Sequence, residues 1–140
     1  MSQKKYKVGY TTGVFDMFHI GHLNIIKRAK ELCDYLIVGI STDELVEEYK
    51  HKKPVIPFDD RFQIVESVKY VDEVVAQIDM DKLSAVINHS VDAVFVGSDW
   101  KNTDSWNKYE KEFAKVGCAV VYLDHTEGIS STILRERLNK

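Results

Sequence analysis

At 140 residues, with 44% hydrophobic and 29% charged side chains, the chain suits a single domain around one core. Its formal net charge of -3 argues against broad electrostatic binding to nucleic acid or to an anionic lipid surface. No apolar run approaches the roughly 20 residues of a membrane-spanning helix, and Met1 to Lys5 lead straight into a strand pattern without a secretory apolar stretch.

A cytoplasmic chain is therefore expected. Residues 6–12 read as a first strand. From 21 to 33 the pattern becomes helical, with Ile25, Ile26, Ala29, Leu32 and Cys33 on one face. Tyr35 to Ile40 is a short β-rich run of the kind buried parallel strands show. Ser41 to Glu44 has capping-box spacing and opens a short helix. Both prolines, Pro54 and Pro57, fall in residues 50–58, which reads as a long loop. Asp59 and Asp60 then introduce a helix with Phe62, Val65 and Val68 inward. Glu73 to Ala76 is a third strand. Leu83, Val86 and Ile87 mark a helix capped by Asp79, and Ala93 to Val96 a fourth strand. Trp106, Tyr109, Phe113 and Val116 share a helix face, so Trp106 is core. Gly117 ends that helix, and Cys118 to Leu123 is a fifth strand. A last helix is expected from about 131 to 139, with Leu134 and Leu138 on one side. Cys33 and Cys118 fit no metal spacing and read as small buried hydrophobes.

This alternation predicts an α/β fold, a doubly wound parallel sheet of five strands in one domain spanning 1–140. Ligands on such sheets bind beyond the carboxyl ends of strands, near the point where strand order reverses. The loops after strands one, four and five are thus the candidate site.

Four segments there carry chemistry. Gly13-Val14-Phe15-Asp16-Met17-Phe18-His19-Ile20-Gly21-His22 leaves strand one and enters a helix whose free N–H groups attract phosphate. His19 and His22 lie on one side of the first turn, so both rings can donate to one phosphoryl group. The competing readings are a capping histidine beside a surface one, and a zinc pair, which lacks nearby acidic or cysteine ligands. No metal-binding residues are assigned. Lys50-His51-Lys52-Lys53 is a solvated basic run or, beside a phosphate site, a loop that closes over a triphosphate. Gly97-Ser98-Asp99-Trp100 offers a carboxylate and an indole, or a simple turn. His125-Thr126-Glu127-Gly128-Ile129-Ser130-Ser131-Thr132 joins strand five to the last helix and can form a second anion cradle or merely cap that helix. Arg135 lies one turn further in.

The first segment resembles the signature of the cytidylyltransferase family, within the nucleotidyltransferase superfamily that carries a His-x-Gly-His motif. Tyr35 to Glu44, Gly97 to Trp100 and Thr126 to Thr132 match further motifs of that family in order, so the resemblance covers about residues 8 to 137. It implies a Rossmann-like nucleotidyltransferase fold and transfer of CMP from CTP, with Mg²⁺, to an alcohol phosphate. In length the chain is nearest the branch that acts on sn-glycerol 3-phosphate, which also implies a homodimer. Phosphocholine, phosphoethanolamine or another polyol phosphate as acceptor, and adenylyl transfer within the same superfamily, remain alternatives. The implied catalytic residues are His19, His22, Lys50 and Lys52. Nucleotide contacts are implied for Gly13, Val14, Phe15, His19, Gly21, His22, Lys52, Asp99, His125, Thr126, Glu127, Gly128, Ile129, Ser130, Ser131 and Thr132, and acceptor contacts for Asp16, Lys50, Arg61 and Trp100.

Three positions depart from the family pattern. His125 stands where arginine is usual, replacing a permanent forked donor by a ring charged only below about pH 6.5. Val14 replaces the threonine common in the glycerol-phosphate branch. Residues 75–80 lack the lysine and tryptophan associated with that branch.

Overall fold

A computed structural model describes residues 5–124 and Leu138. The elements run β1 (Tyr6–Gly13), α1 (Ile20–Leu32), β2 (Cys33–Ser41), α2 (Asp43–Lys50), α3 (Phe58–Glu66), β3 (Glu73–Gln77), α4 (Lys82–Asn88), β4 (Ala93–Gly97), α5 (Asp104–Ala114) and β5 (Ala119–Leu123), with a 3₁₀ turn at Ser98–Trp100. The expected helix over 131–139 and the segment 125–132 lie outside the described residues, apart from Leu138, which is exposed.

All five strands are parallel, in the order β3-β2-β1-β4-β5. The chain builds outward from β1 to β3, then returns to β1's other side for β4 and β5. Strand order therefore reverses between β1 and β4, and the doubly wound expectation holds.

Period-two alternation divides the strands between two cores. Leu36, Val38, Ile40, Ala93 and Phe95 face one side, beneath Ile26 and Ala29 of α1 and Val65 of α3. Ile37 and Val94 face the other, with Val86 of α4 and Trp106 and Phe113 of α5. Gly9, in the middle of β1, has no room for a side chain: a Cβ there would stand 2.5 Å from the Phe95 ring and 2.7 Å from Cys33 Sγ. Both cysteines are buried, and neither forms a disulfide.

Local chemistry corrects several expected details. Cys33 opens β2 rather than closing α1. The hydroxyl that caps α2 is that of Thr42, which accepts from Leu45 N, whereas Ser41 donates to Gln77 Oε1. Asp81 rather than Asp79 caps α4 by accepting from Ser84 N, and Asp79 supports it by accepting from Asp81 N. Ile87, in the last turn of α4, and Val116, in the turn past α5, are exposed rather than inward. Gly117 does end the α5 segment, at φ +75°, a value open to glycine without strain.

Candidate active site

The cavity at the reversal point encloses about 380 Å³, within the size range of small-ligand sites. Thr11 to Asp16 form one wall as β1 unwinds towards α1. His22 and Ile25 of α1, Lys50 at the end of α2, and Val96, Gly97, Asp99 and Trp100 after β4 complete it. Sequence reasoning placed the site at these loops. The third loop, after β5, lies outside the described residues, and with it His125, Thr126, Glu127, Gly128, Ile129, Ser130, Ser131 and Thr132.

The β1–α1 turn is held in a costly conformation. Phe15 and Met17 both adopt positive φ, +54° and +49°, where bulky side chains are disfavoured by about 1–2 kcal/mol each. The bend lets the chain leave the strand sharply. Gly13 contributes by lacking a side chain: a Cβ there would stand 3.1 Å from the Phe15 ring.

At the head of α1 the two histidines form a reciprocal cap. Gly21 N–H donates to His19 Nδ1 at 3.0 Å, and His19 N–H donates to His22 Nδ1 at 3.1 Å. An Nδ1 that accepts cannot carry a proton, so each neutral ring holds its hydrogen on Nε2. The rings stack with centroids 3.9 Å apart and planes 25° apart. The capping reading holds for both histidines, and the cap orients the rings and leaves each Nε2–H to donate.

Neutrality is reinforced by surroundings. Phe15 and Phe18 pack on His22 with centroids 5.4 and 5.3 Å away. Burial, then His19, push the His22 pKa down to about 4, against a smaller upward pull from Asp16, and burial also lowers that of His19. The unfolded chain protonates His22 near its ordinary value of 6.5, whereas the folded chain resists until about 4. Stability is therefore full above about pH 6.5 and falls as pH drops towards 4, by up to about 3 kcal/mol for this group. Urea unfolding of the protein and of His22→Gln across that interval checks this: the variant is expected to lose most of the slope.

Asp16 is 3% exposed, and its two oxygens accept from the N–H groups of Val55 and Ile56, each at 2.8 Å. Arg61 is 1% exposed. Its Nε donates to Ile56 O, one Nη to both Val14 O and Ser41 O (all at 2.8 Å), and the other Nη to Asp43 at 2.6 Å. Direct acceptor contact was the expectation for both. Asp16 lines the cavity whereas Arg61 does not, and both side chains tie the proline loop to the β1 exit. Lys50 and Trp100 do line it; Lys52 and Lys53 are exposed beyond its edge.

A residue that sequence reasoning missed is Lys82. It is 9% exposed, donates from Nζ to Thr12 Oγ1 at 3.1 Å, and stands 5.9 Å from the Trp106 ring centre. Burial lowers its pKa to about 8. Lys82 thus stands at the start of α4, behind Thr12 of the cavity wall, without lining the cavity itself. One signal was available: a cation at the first position of a helix opposes the helix dipole, which suggests another task.

Among the described residues, no group of three or more His, Cys, Asp or Glu is placed to hold a metal. Mg²⁺ commonly binds through substrate phosphates and one or two carboxylates. Asp99 on the cavity wall fits an ion that enters with a polyphosphate, rather than one caged by protein.

The fold and this site define an α/β protein with a cavity at its strand-order reversal, beside a helix N-terminus capped by two histidines. A family model described as cytidylyltransferase-like matches residues 10–137. Glycerol-3-phosphate cytidylyltransferase of Bacillus subtilis is 40% identical over 129 residues, covering 91% of this chain and 94% of that one. The Staphylococcus aureus protein of the same name is 39% identical, covering 91% and 92%. FAD synthase of Thermococcus kodakarensis is 36% identical, covering 71% and 68%. Among solved structures, the lipopolysaccharide core biosynthesis protein of Thermoplasma volcanium superposes with a TM-score of 0.71 at 26% identity, covering 86% of this chain and 96% of that one. The chain belongs to the cytidylyltransferase-like family.

Proposed function

We propose that the chain transfers CMP from CTP to sn-glycerol 3-phosphate, giving CDP-glycerol and pyrophosphate. The observation that carries the chemistry is the reciprocal histidine cap, which fixes two Nε2–H donors at the head of α1 beside the cavity. A phosphate oxygen of the acceptor attacks the α-phosphorus in line. The new P–O bond forms as the bond to the β-phosphate oxygen breaks, and pyrophosphate departs. His19 and His22 donate to the α-phosphoryl oxygens as negative charge builds there. Lys50 faces the acceptor phosphate, and Lys52, from the loop above, faces the triphosphate. Mg²⁺ entering with CTP supplies charge neutralisation.

Gly13, Val14, Phe15, Gly21 and Asp99 contact the nucleotide, together with residues 125–132, and Trp100 packs near the acceptor. Lys82 adds a second ammonium behind Thr12. The acceptor assignment is supported by the relatives named glycerol-3-phosphate cytidylyltransferase. The protein acts in the cytoplasm as a homodimer, a reading supported by exposed Ile78 and Met80 just beyond the edge strand β3. Among the described residues no helix is long and apolar enough to cross a membrane.

Relatives named FAD synthase keep adenylyl transfer as the second reading. Pyrophosphate release separates the two, with CTP or ATP paired in turn with glycerol 3-phosphate, phosphocholine and phosphoethanolamine. CTP with glycerol 3-phosphate is expected to exceed every other pair by about tenfold or more, which corresponds to about 1.4 kcal/mol of transition-state discrimination. A preference for ATP, or for another acceptor, overturns that part of the assignment.

A further inference from the structure

The proline loop between α2 and α3 is anchored at both ends and loaded with charge in the middle. Lys50 closes α2 with its side chain on the cavity wall, and His51 turns the chain through positive φ, +59°. His51, Lys52 and Lys53 are exposed. At the far end the Asp16 carboxylate receives the N–H groups of Val55 and Ile56, one on each oxygen. The carbonyl of Ile56 is taken by buried Arg61.

We propose that Asp16 is a positioning residue, a latch that holds the basic loop over the nucleotide phosphates and acts on the reaction only through that loop. The inference rests on the proposed function for the loop's role beside a triphosphate. Two considerations favour a latch over a direct ligand. A carboxylate aimed at substrates that both carry phosphate would repel them, whereas one whose two oxygens accept backbone N–H groups is partly neutralised. Holding like charges close together also opposes their mutual repulsion and the entropy of a free segment. A buried, charge-assisted pair of hydrogen bonds supplies that hold.

Trypsin digestion of the full chain without ligand, read bond by bond by mass spectrometry, tests the latch directly. The bonds after Lys50 and Lys52 are cleavable, while Pro54 protects the bond after Lys53. In Asp16→Asn these two bonds are expected to be cut at least about tenfold faster, with an unchanged far-UV spectrum. Val55→Pro, at an exposed position, removes one of the two N–H groups while leaving Asp16 in place, and is expected to act in the same direction. In turnover, Asp16→Asn is expected to lower kcat/KM for CTP by about tenfold or more. Adding Lys52→Ala and Lys53→Ala to Asp16→Asn is expected to cost much less than the same pair costs in the unmodified chain, because both changes disable one device.

Unchanged cleavage in both latch variants overturns the proposal. So do fully additive losses, which would mean that Asp16 touches substrate itself. If the unmodified enzyme turns over none of the nucleotide and phosphate pairs, the proposed reaction fails separately, and the cleavage ratio still decides whether the latch exists.

Discussion

His22→Ala is expected to lower turnover by roughly 100- to 1,000-fold, the usual cost of removing one preorganised donor from a developing oxyanion. The ring is already neutral, already carries its hydrogen on Nε2, and is wedged between Phe15 and Phe18. Little reorganisation is then needed when charge builds on the phosphoryl oxygens, so the whole effect should appear in kcat. Alanine also removes the acceptor for His19 N–H, so a stability loss of about 1 kcal/mol accompanies it. His19→Asn separates these two contributions. Asparagine is a good N-cap and can accept from Gly21 N–H as His19 Nδ1 does, yet it places no donor where Nε2–H stood. Near-normal melting with turnover reduced by orders of magnitude is the expected pair of results. Near-normal turnover in either variant would remove that ring from the chemistry.

Arg61→Met is expected to destabilise the fold by about 3–5 kcal/mol in urea unfolding. The guanidinium side chain is fully inaccessible and its ion pair with Asp43 measures 2.6 Å. Its removal leaves the carbonyls of Val14, Ser41 and Ile56 short of a donor and Asp43 without its cation. Those carbonyls belong to the exits of β1 and β2 and to the loop before α3, so one side chain ties three connections together. Arg61→Lys keeps the charge but cannot fork to these partners, and most of the loss should remain. A loss under about 1 kcal/mol in the methionine variant would mean that the three connections hold without it.

What could be read from the sequence follows from how local each signal is. The five strands and the amphipathic helices announce themselves through period two and period 3.6, and Gly117 marked its own turn. The paired histidines were legible because a short motif places them at one helix start. Most partners of Arg61 and Asp16 were not: Val14, Ser41 and Asp43 lie 47, 20 and 18 residues from Arg61, and Val55 and Ile56 lie 39 and 40 from Asp16. The resemblance implied acceptor contacts for both, and a charge in a loop or first turn carries no mark of the backbone groups it will also meet. Lys82 was hidden for the same reason, as its partner Thr12 is 70 residues away. Thr42 and Asp81 displaced the expected caps because several side chains near a helix start compete for the role, and strand ends decide which is free.

The central position of β1 has a consequence for how the enzyme is born. Gly9 to Thr11 pair on one side with Leu36 to Val38 and on the other with Ala93 to Phe95. On the ribosome the first neighbour emerges early, and β1, β2 and β3 can begin to assemble while the second half is still being synthesised. During that interval one edge of β1 is unpaired and prone to mispairing with other extended chains. The wall formed by Val96 to Trp100 also has not yet been made, so a nascent chain holds its two imidazoles but no enclosed space in which to use them. Synthesis through β4 is thus the step that both seals a vulnerable edge and supplies the missing wall of the cavity.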